Sequence, residues 1–326
     1  MLKFFYMIKP LIPRRIQIIM RQLCIKWKRP RYRDVWPIDH RACVSPPGWR
    51  GWPEEKRFAL VLTHDVERVR GLSRCTELME REKSLDLVSS FNFVAERYEV
   101  PSILREQLSA QGFEVGLHGL KHDGKLYQSY DIFCKRALRI NHLLKEWNAV
   151  GFRSPSMHHN LSWLHRLDLS YDLSTFDTDP FEPQSNGVGT IFPFFVRAPS
   201  SERGFVEMPY TLPQDYTLFV LLRMNNISIW KTKLDWIVEK RGMALLNTHP
   251  DYMSFSKERR KPDEYTAEHY LDFLEYIKIR YNGMYWNVLP RQMAQFWRTL
   301  KACDPENPVS FERVEKPLIS FSRDVG

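Results

Sequence analysis

Phe58-Ala59-Leu60-Val61-Leu62-Thr63 is the stretch on which the fold turns. It is apolar without alternation and has the length of a strand. A strand with one wet face alternates polar and apolar side chains, so this run predicts a strand covered on both faces, as in a parallel sheet flanked by helices. Further strands are expected at 89–94, 114–117, 150–152, 169–174, 205–208, 243–247 and 285–288. Helices are expected between them, most clearly at 102–110, 132–147, 229–239, 267–280 and 291–302. Strand and helix alternating through short connections predict a parallel α/β architecture. Seven or eight such units suit an irregular (β/α) barrel better than an open sheet.

The chain has 326 residues, enough for one large domain with appendages. We divide it into a basic amphipathic helix with a Pro/Trp-rich arm at 1–57, the barrel at 58–300 and an irregular tail at 301–326. Its five cysteines, Cys24, Cys43, Cys75, Cys134 and Cys303, include no C-x-x-C pair. An odd, scattered set predicts neither a disulfide framework nor a zinc knuckle and fits a reducing compartment.

The net charge is +9, but residues 1–33 hold ten Lys and Arg and no acid. The remainder has 38 basic against 39 acidic residues, close to neutral. A nucleic-acid-binding body should itself be basic, so that class is excluded. In the head, Ile12, Ile16, Ile19, Met20, Leu23 and Trp27 fall on one stripe of a helix expected after Pro13, with the cations mostly off it. Such a helix either lies peripherally on an anionic membrane or packs its stripe on the body. The apolar run Phe4-Phe5-Tyr6-Met7-Ile8 is too short to span a bilayer and lacks signal-peptide anatomy, which predicts a cytoplasmic location, peripheral on the inner membrane surface if the helix docks there. Residues 34–57, with Trp36-Pro37, Pro46-Pro47, Trp49 and Trp52-Pro53, predict an extended arm pinned by indoles.

Chemistry concentrates where the predicted strands end. Val115-Gly116-Leu117-His118-Gly119-Leu120-Lys121-His122 places two histidines four apart after the third strand; on a helical turn they would share a side, suited to zinc. Such a pair alone is commonly a surface or capping feature. After the first strand come His64-Asp65-Val66-Glu67, after the fourth Arg153-Ser154-Pro155, after the fifth Asp177-Thr178-Asp179, and after the seventh Asn247-Thr248-His249-Pro250. Each has a bland reading alone, Asp65 as a helix cap, Arg153 as a surface cation, His249 as a turn residue. In a parallel barrel these positions converge on one face.

Between Thr63 and Pro250 this ordered set resembles the motifs of the polysaccharide deacetylase family, the carbohydrate esterases with a NodB homology domain, over roughly residues 58–297. The resemblance implies an irregular (β/α) barrel that removes acetyl groups from sugars with one divalent metal. It makes Asp65 the general base, His118 and His122 metal ligands, Arg153 the residue that holds the base, and His249 the general acid. Val66 follows Asp65 where the commonest pattern has a second aspartate, so the third ligand falls to Glu67, as in a D-x-D branch. The family's fourth motif has no recognisable counterpart; Asp177 or Asp179 stands nearest. His64 is expected to pack away from Asp65. Pro155, Tyr252 and Trp286 are candidate substrate contacts, and Phe176, Phe181 and Tyr210 could join a sugar-stacking platform.

The roles also make chemical sense independently. An amide is a poor electrophile and neutral water a poor nucleophile. A metal, most suitably Zn2+, addresses both, a carboxylate takes the water's proton, and a histidine supplies one to the leaving amine. The expected substrate is an N-acetylated amino sugar in a glycan or lipid-linked precursor, as in exopolysaccharide synthesis. The alternatives are C–N hydrolysis of a small cyclic ureide and a catalytically silent barrel that binds a glycan or a partner.

Overall fold

The computed structural model describes residues 13–303 apart from 185, 200–202 and 257–259. The first twelve residues, Ile12 of the head stripe among them, and the tail from 304 lie outside the described residues.

The opening strand is the axis of the molecule. β1 (Phe58–Val66) is buried at all nine positions, as its unalternating sequence requires. The next strand, β2 (Ser89–Phe93), pairs with the second half of β1, and the sheet continues through β3 (Glu114–Leu117), β4 (Gly151–Phe152) and β5 (Tyr171–Asp172), all parallel. A short β6 (Phe194–Arg197) runs antiparallel to β7 (Gly204–Glu207), which pairs parallel with β5. Beyond β7 a bridge between Leu212 and Leu246 brings the chain against β8 (Met243–Thr248), and β8 pairs along β1, which curls the sheet into a barrel. Two small strands, β9 (Met253–Ser254) and β10 (Tyr265–Thr266), pair apart from it. The last strand, β11 (Tyr285–Asn287), joins only the first three residues of β1. The fold is thus the expected irregular α/β barrel.

Helices cover the outside. After the head helix α1 (Arg14–Lys28) come α2 (Cys75–Ser84), α3 (Ser102–Ala110), α4 (Tyr130–Glu146), α5 (Ser228–Glu239), α6 (Glu268–Arg280) and α7 (Pro290–Cys303). α4 starts two residues before its expected position because the Ser129 hydroxyl accepts from Ile132 N and caps it. Its Phe133, Ala137, Ile140 and Leu144 repeat at helical spacing and are buried against the sheet, each large side chain contributing about 1.5–3 kcal/mol.

Three differences from the sequence reading have local causes. The strand expected at 169–174 shortens to β5 because the Asp172 carboxylate accepts from Ser174 N at 2.9 Å and turns the backbone out of the ladder. β6 is unforeseen because its turn-rich approach hides a four-residue antiparallel edge. Tyr216–Leu221 wind into a fully buried π-helical segment, a form with no distinctive sequence period.

The Trp-rich arm covers the N-terminal end of the barrel. The Trp52 indole donates to Arg241 O at 2.8 Å, and Trp49 and Trp52 pack among Phe192, Phe296 and Trp297. The opposite end, where the parallel strands finish, is left to the polar residues.

Candidate active site

β1 delivers Asp65 near its end and Glu67 just past it. Asp65 is 2% exposed, and its Oδ1 accepts from Arg153 Nη1 at 3.1 Å and Asn92 Nδ2 at 3.2 Å. Asn247 Nδ2 donates to Oδ2 at 2.9 Å. Burial pushes this carboxyl upward, but Arg153, His118, His249 and the Asn247 bond together hold it well below the ordinary range. Arg153 is itself fully buried, tied to Thr63 Oγ1, Asn247 Oδ1 and Leu173 O. It therefore fixes the end of β1 to the ends of β4, β5 and β8.

His118 follows β3, and its Nδ1 donates to Arg153 O at 3.1 Å, which fixes the tautomer and leaves Nε2 with a lone pair. Burial pushes its pKa down to about 4, so the ring is neutral at neutral pH. The two histidines meet with ring centroids 5.3 Å apart, but not on a helical turn. The connecting loop carries Gly119 at φ 65° and His122 at φ 51°, left-handed conformations that curl the chain back on itself. Gly119 is also required sterically, since a Cβ there would meet Pro155 at 2.7 Å. Pro155 thus packs against the histidine loop.

Glu67 completes a cluster. Donor atoms of Glu67, His118 and His122 lie within 4.8 Å of one another. His122 Nε2 is 3.0 Å from Glu67 Oε1 without hydrogen-bond alignment and has no other partner among the described residues. A buried imidazole nitrogen left unbonded beside a carboxylate and a second lone pair fits a cation between them. Glu67 is oriented from behind: Tyr252 donates to Oε2 at 3.0 Å, and Asp251 Oδ2 accepts from Glu67 N at 2.7 Å. Burial alone would raise the Glu67 carboxyl, but the neighbouring imidazoles, His122 foremost, hold it well below its usual value.

Across from this cluster, His249 follows β8. Its Nδ1 meets Asp215 Oδ1 at 2.7 Å, and Asp215 Oδ2 accepts from His249 N at 2.8 Å and Tyr265 OH at 2.9 Å. Burial lowers an imidazole's pKa, yet Asp215, Glu67 and Asp65 push His249 up to about 9. At neutral pH the ring is therefore protonated, with its Nδ1 held by Asp215.

No protein-family model matches the sequence, and no curated protein matches it. Solved structures do. A structure designated a polysaccharide deacetylase from Mycobacterium smegmatis has a TM-score of 0.60 at 17% identity, covering 79% of this chain and 96% of its own. One so designated from Pseudomonas aeruginosa PAO1 has a TM-score of 0.59 at 17% identity, over 81% and 98%. The fold is that of the polysaccharide deacetylases. The PuuE allantoinase is as similar, with a TM-score of 0.59 at 17% identity over 83% and 99%.

Within this polysaccharide deacetylase fold, Asp65, Glu67, His118, His122, Arg153 and His249 gather at the C-terminal ends of the strands, with Pro155 beside the histidine loop. Trp286 does not join them. It pairs with Ala59 at the start of β1, six residues before Asp65 and so about 20 Å away along the strand, and packs on Trp52 and Phe296. It belongs to the aromatic floor and is withdrawn as a substrate contact. Phe176, Phe181 and Tyr210 are buried in the core, so they offer no stacking platform. Tyr252 is at the site, but it is buried and its hydroxyl serves Glu67. His64 turns away from Asp65, as expected, to bond Glu82 and Thr248. Asp177 pairs with Lys233, and Asp179 accepts from Phe181 N. The carboxylate that partners His249 is instead Asp215, which sequence reasoning missed because it stands in the irregular segment between β7 and β8.

Proposed function

We propose that the chain is a metal-dependent hydrolase that removes the N-acetyl group of an amino sugar in a polysaccharide, oligosaccharide or lipid-linked precursor. The observation that carries this reading is the Glu67–His118–His122 donor set at the same strand ends as a buried Asp65 bonded by Arg153 and Asn247 and a buried His249 bonded by Asp215. Two imidazoles and one carboxylate would hold a divalent ion, with Zn2+ the best chemical fit. When bound, such an ion supplies Lewis acidity that acidifies water and polarises an acyl oxygen.

The chain's own groups handle the protons. Asp65, held in position and kept ionised by Arg153 and Asn247, accepts the proton that water loses on attacking the amide carbon. His249 Nε2–H gives a proton to the departing amine as the C–N bond breaks, and Asp215 stabilises the imidazolium beforehand. Water and amide become acetic acid and a free amine, with one proton taken and one given. Arg153, Asn247 and Asp215 are positioning residues; they act through Asp65 and His249.

Acetate release from N-acetylated chito-oligosaccharides, by metal-loaded and chelator-treated protein, tests this. Metal-dependent release supports it. The allantoinase likeness favours one competing reading, so allantoin belongs in the same assay. Turnover of allantoin with none on any acetylated sugar would replace the deacetylase reading, and no turnover at all would favour a silent barrel.

A further inference from the structure

α1 is held to the barrel by the side opposite to its apolar stripe. Ile18 and Ile25 are 4% exposed and face the body, and Gln22 Nε2 donates to Val220 O at 2.9 Å in the π-helical segment. The stripe itself, Ile16, Ile19, Met20, Leu23 and Trp27, stands in solvent at 46% to 65% exposure. At about 100° per residue these five lie within one narrow sector, and Ile18 and Ile25 point the other way. The body has thus taken its anchors, and among the described residues none covers the second apolar face. Arg15 and Lys26 run along one margin of that face and Lys28 along the other, where long cationic stems reach past apolar neighbours.

Beside the stripe is a groove of about 770 Å³ between α1 and the end of the π-helical segment. Ile19, Leu23 and Leu221 give it an apolar wall, and Lys26, Arg29 and Arg223 line it with charge. None of these three cations forms an ion pair with a described residue.

We propose that this face and groove dock the protein on an anionic lipid bilayer, with lipid headgroups taken by the groove cations and the stripe set among the acyl chains. Charge complementarity selects this occupant. A second copy would bring two heads together that each carry ten cations and no acid. A nucleic acid would answer the charge but leave five large apolar side chains in water. A bilayer with acidic headgroups satisfies both.

The docking site is built against the catalytic end. Arg21 lies over the Tyr216 ring at 5.2 Å, Tyr216 packs on Tyr252 with centroids 4.8 Å apart, and Tyr252 holds Glu67. Asp215, which holds His249, is the residue before Tyr216. A membrane beneath α1 therefore lies beside the mouth of the site, and the substrate it presents is a lipid-linked glycan. That last step rests on the deacetylase reading; the docking does not.

The test is co-sedimentation of the full chain with phosphatidylcholine vesicles, with and without phosphatidylglycerol. Binding should require phosphatidylglycerol and fall as salt rises. The variant Lys26→Gln/Arg29→Gln/Arg223→Gln should partition about 10²-fold more weakly, at roughly fivefold per basic residue near an anionic surface. Ile19→Ser/Leu23→Ser/Trp27→Ser should lose at least about tenfold, since its apolar surface no longer enters the bilayer. All six altered side chains are exposed, so hydrolysis of a soluble substrate should be unchanged in both variants. Equal binding to both vesicle types, or wild-type binding by both variants, overturns the proposal. So does sedimentation velocity showing a dimer that the apolar variant dissolves. Vesicle binding without any hydrolysis leaves the docking site standing and removes the enzymatic reading alone.

Discussion

Asp215→Asn isolates the acid half of the proposed chemistry. In the native protein His249 is pushed up to about 9, with Asp215 the strongest influence against the lowering effect of burial and with Glu67 and Asp65 behind it. Removing the Asp215 charge should return the imidazole to about 6.5 or below, a change of about 2.5 units or about 3 kcal/mol. The protonated fraction at about pH 8 then falls from about nine-tenths to about three-hundredths, while at about pH 6 it falls only from nearly one to about three-quarters. Turnover should therefore drop about 30-fold at the higher pH and by less than about twofold at the lower one, if His249 is the acid. The sign for stability agrees. A histidine raised in the folded state contributes stability in full below its unfolded pKa, and that contribution is lost as pH rises through about 9. Asp215→Asn should erase it across that window.

Two measurements decide the matter. Carbon-detected histidine NMR on metal-free protein, with the His249 signal assigned by its absence in His249→Gln, reads the pKa directly. The pH profile of kcat reads its use. Tyr265→Phe removes one hydrogen bond to Asp215 but keeps its charge, and should leave both nearly unchanged. If His249 titrates in Asp215→Asn where it does in wild type, or if the rate loss is equal at both pH values, the assignment of acid and positioning residue fails.

His118→Ala and His122→Ala should each abolish stoichiometric zinc by metal analysis, whereas Asp65→Asn should keep zinc and lose about 10²–10⁴-fold in turnover. Tyr252→Phe should bind zinc about 10–100-fold more weakly by calorimetry, because the hydroxyl that orients Glu67 is gone. Lys233→Met strands the buried Asp177 charge and should cost about 3–5 kcal/mol in urea unfolding. Glu207 is raised well above its ordinary value by burial and by Asp172, so its stabilising share is complete at low pH and is lost as pH rises through its folded pKa; in Glu207→Gln the urea midpoint should fall less steeply with pH.

The readability of this protein follows the range of its interactions. The apolar run of β1 announces a two-sided buried strand because burial acts on every residue of it, and the ends of such strands in a barrel meet by geometry. That is why the sequence alone groups Asp65, His118, Arg153 and His249, though they are spread over more than half of the chain. Trp286 was misplaced for a related reason: the same strand pattern holds at both ends of β11, and only the register with Ala59 shows that this tryptophan faces the floor. His122 comes beside His118, as the spacing suggests, but by a different backbone, since its left-handed φ replaces the helical turn that spacing implies.

Asp215 shows where local pattern carries no information at all. Nothing in Leu212-Pro213-Gln214-Asp215-Tyr216 distinguishes its carboxylate from any other acid in a turn. Its role comes from the bridge between Leu212 and Leu246, which sets the chain after β7 beside the end of β8 and so puts Asp215 under His249. The same closure fixes the neighbouring π-helical segment as the seat for α1. The contacts that set this segment against β8 thus position both the carboxylate bonded to His249 and the surface on which the basic head rests, and a change that loosened them, such as Leu212→Ala in the fully buried core, should disturb both together. The expected cost is about 2–5 kcal/mol in stability. It should bring a lowered His249 pKa and weaker vesicle binding in the same variant; an unaltered His249 titration alongside the lost stability would separate the two and refute their common origin.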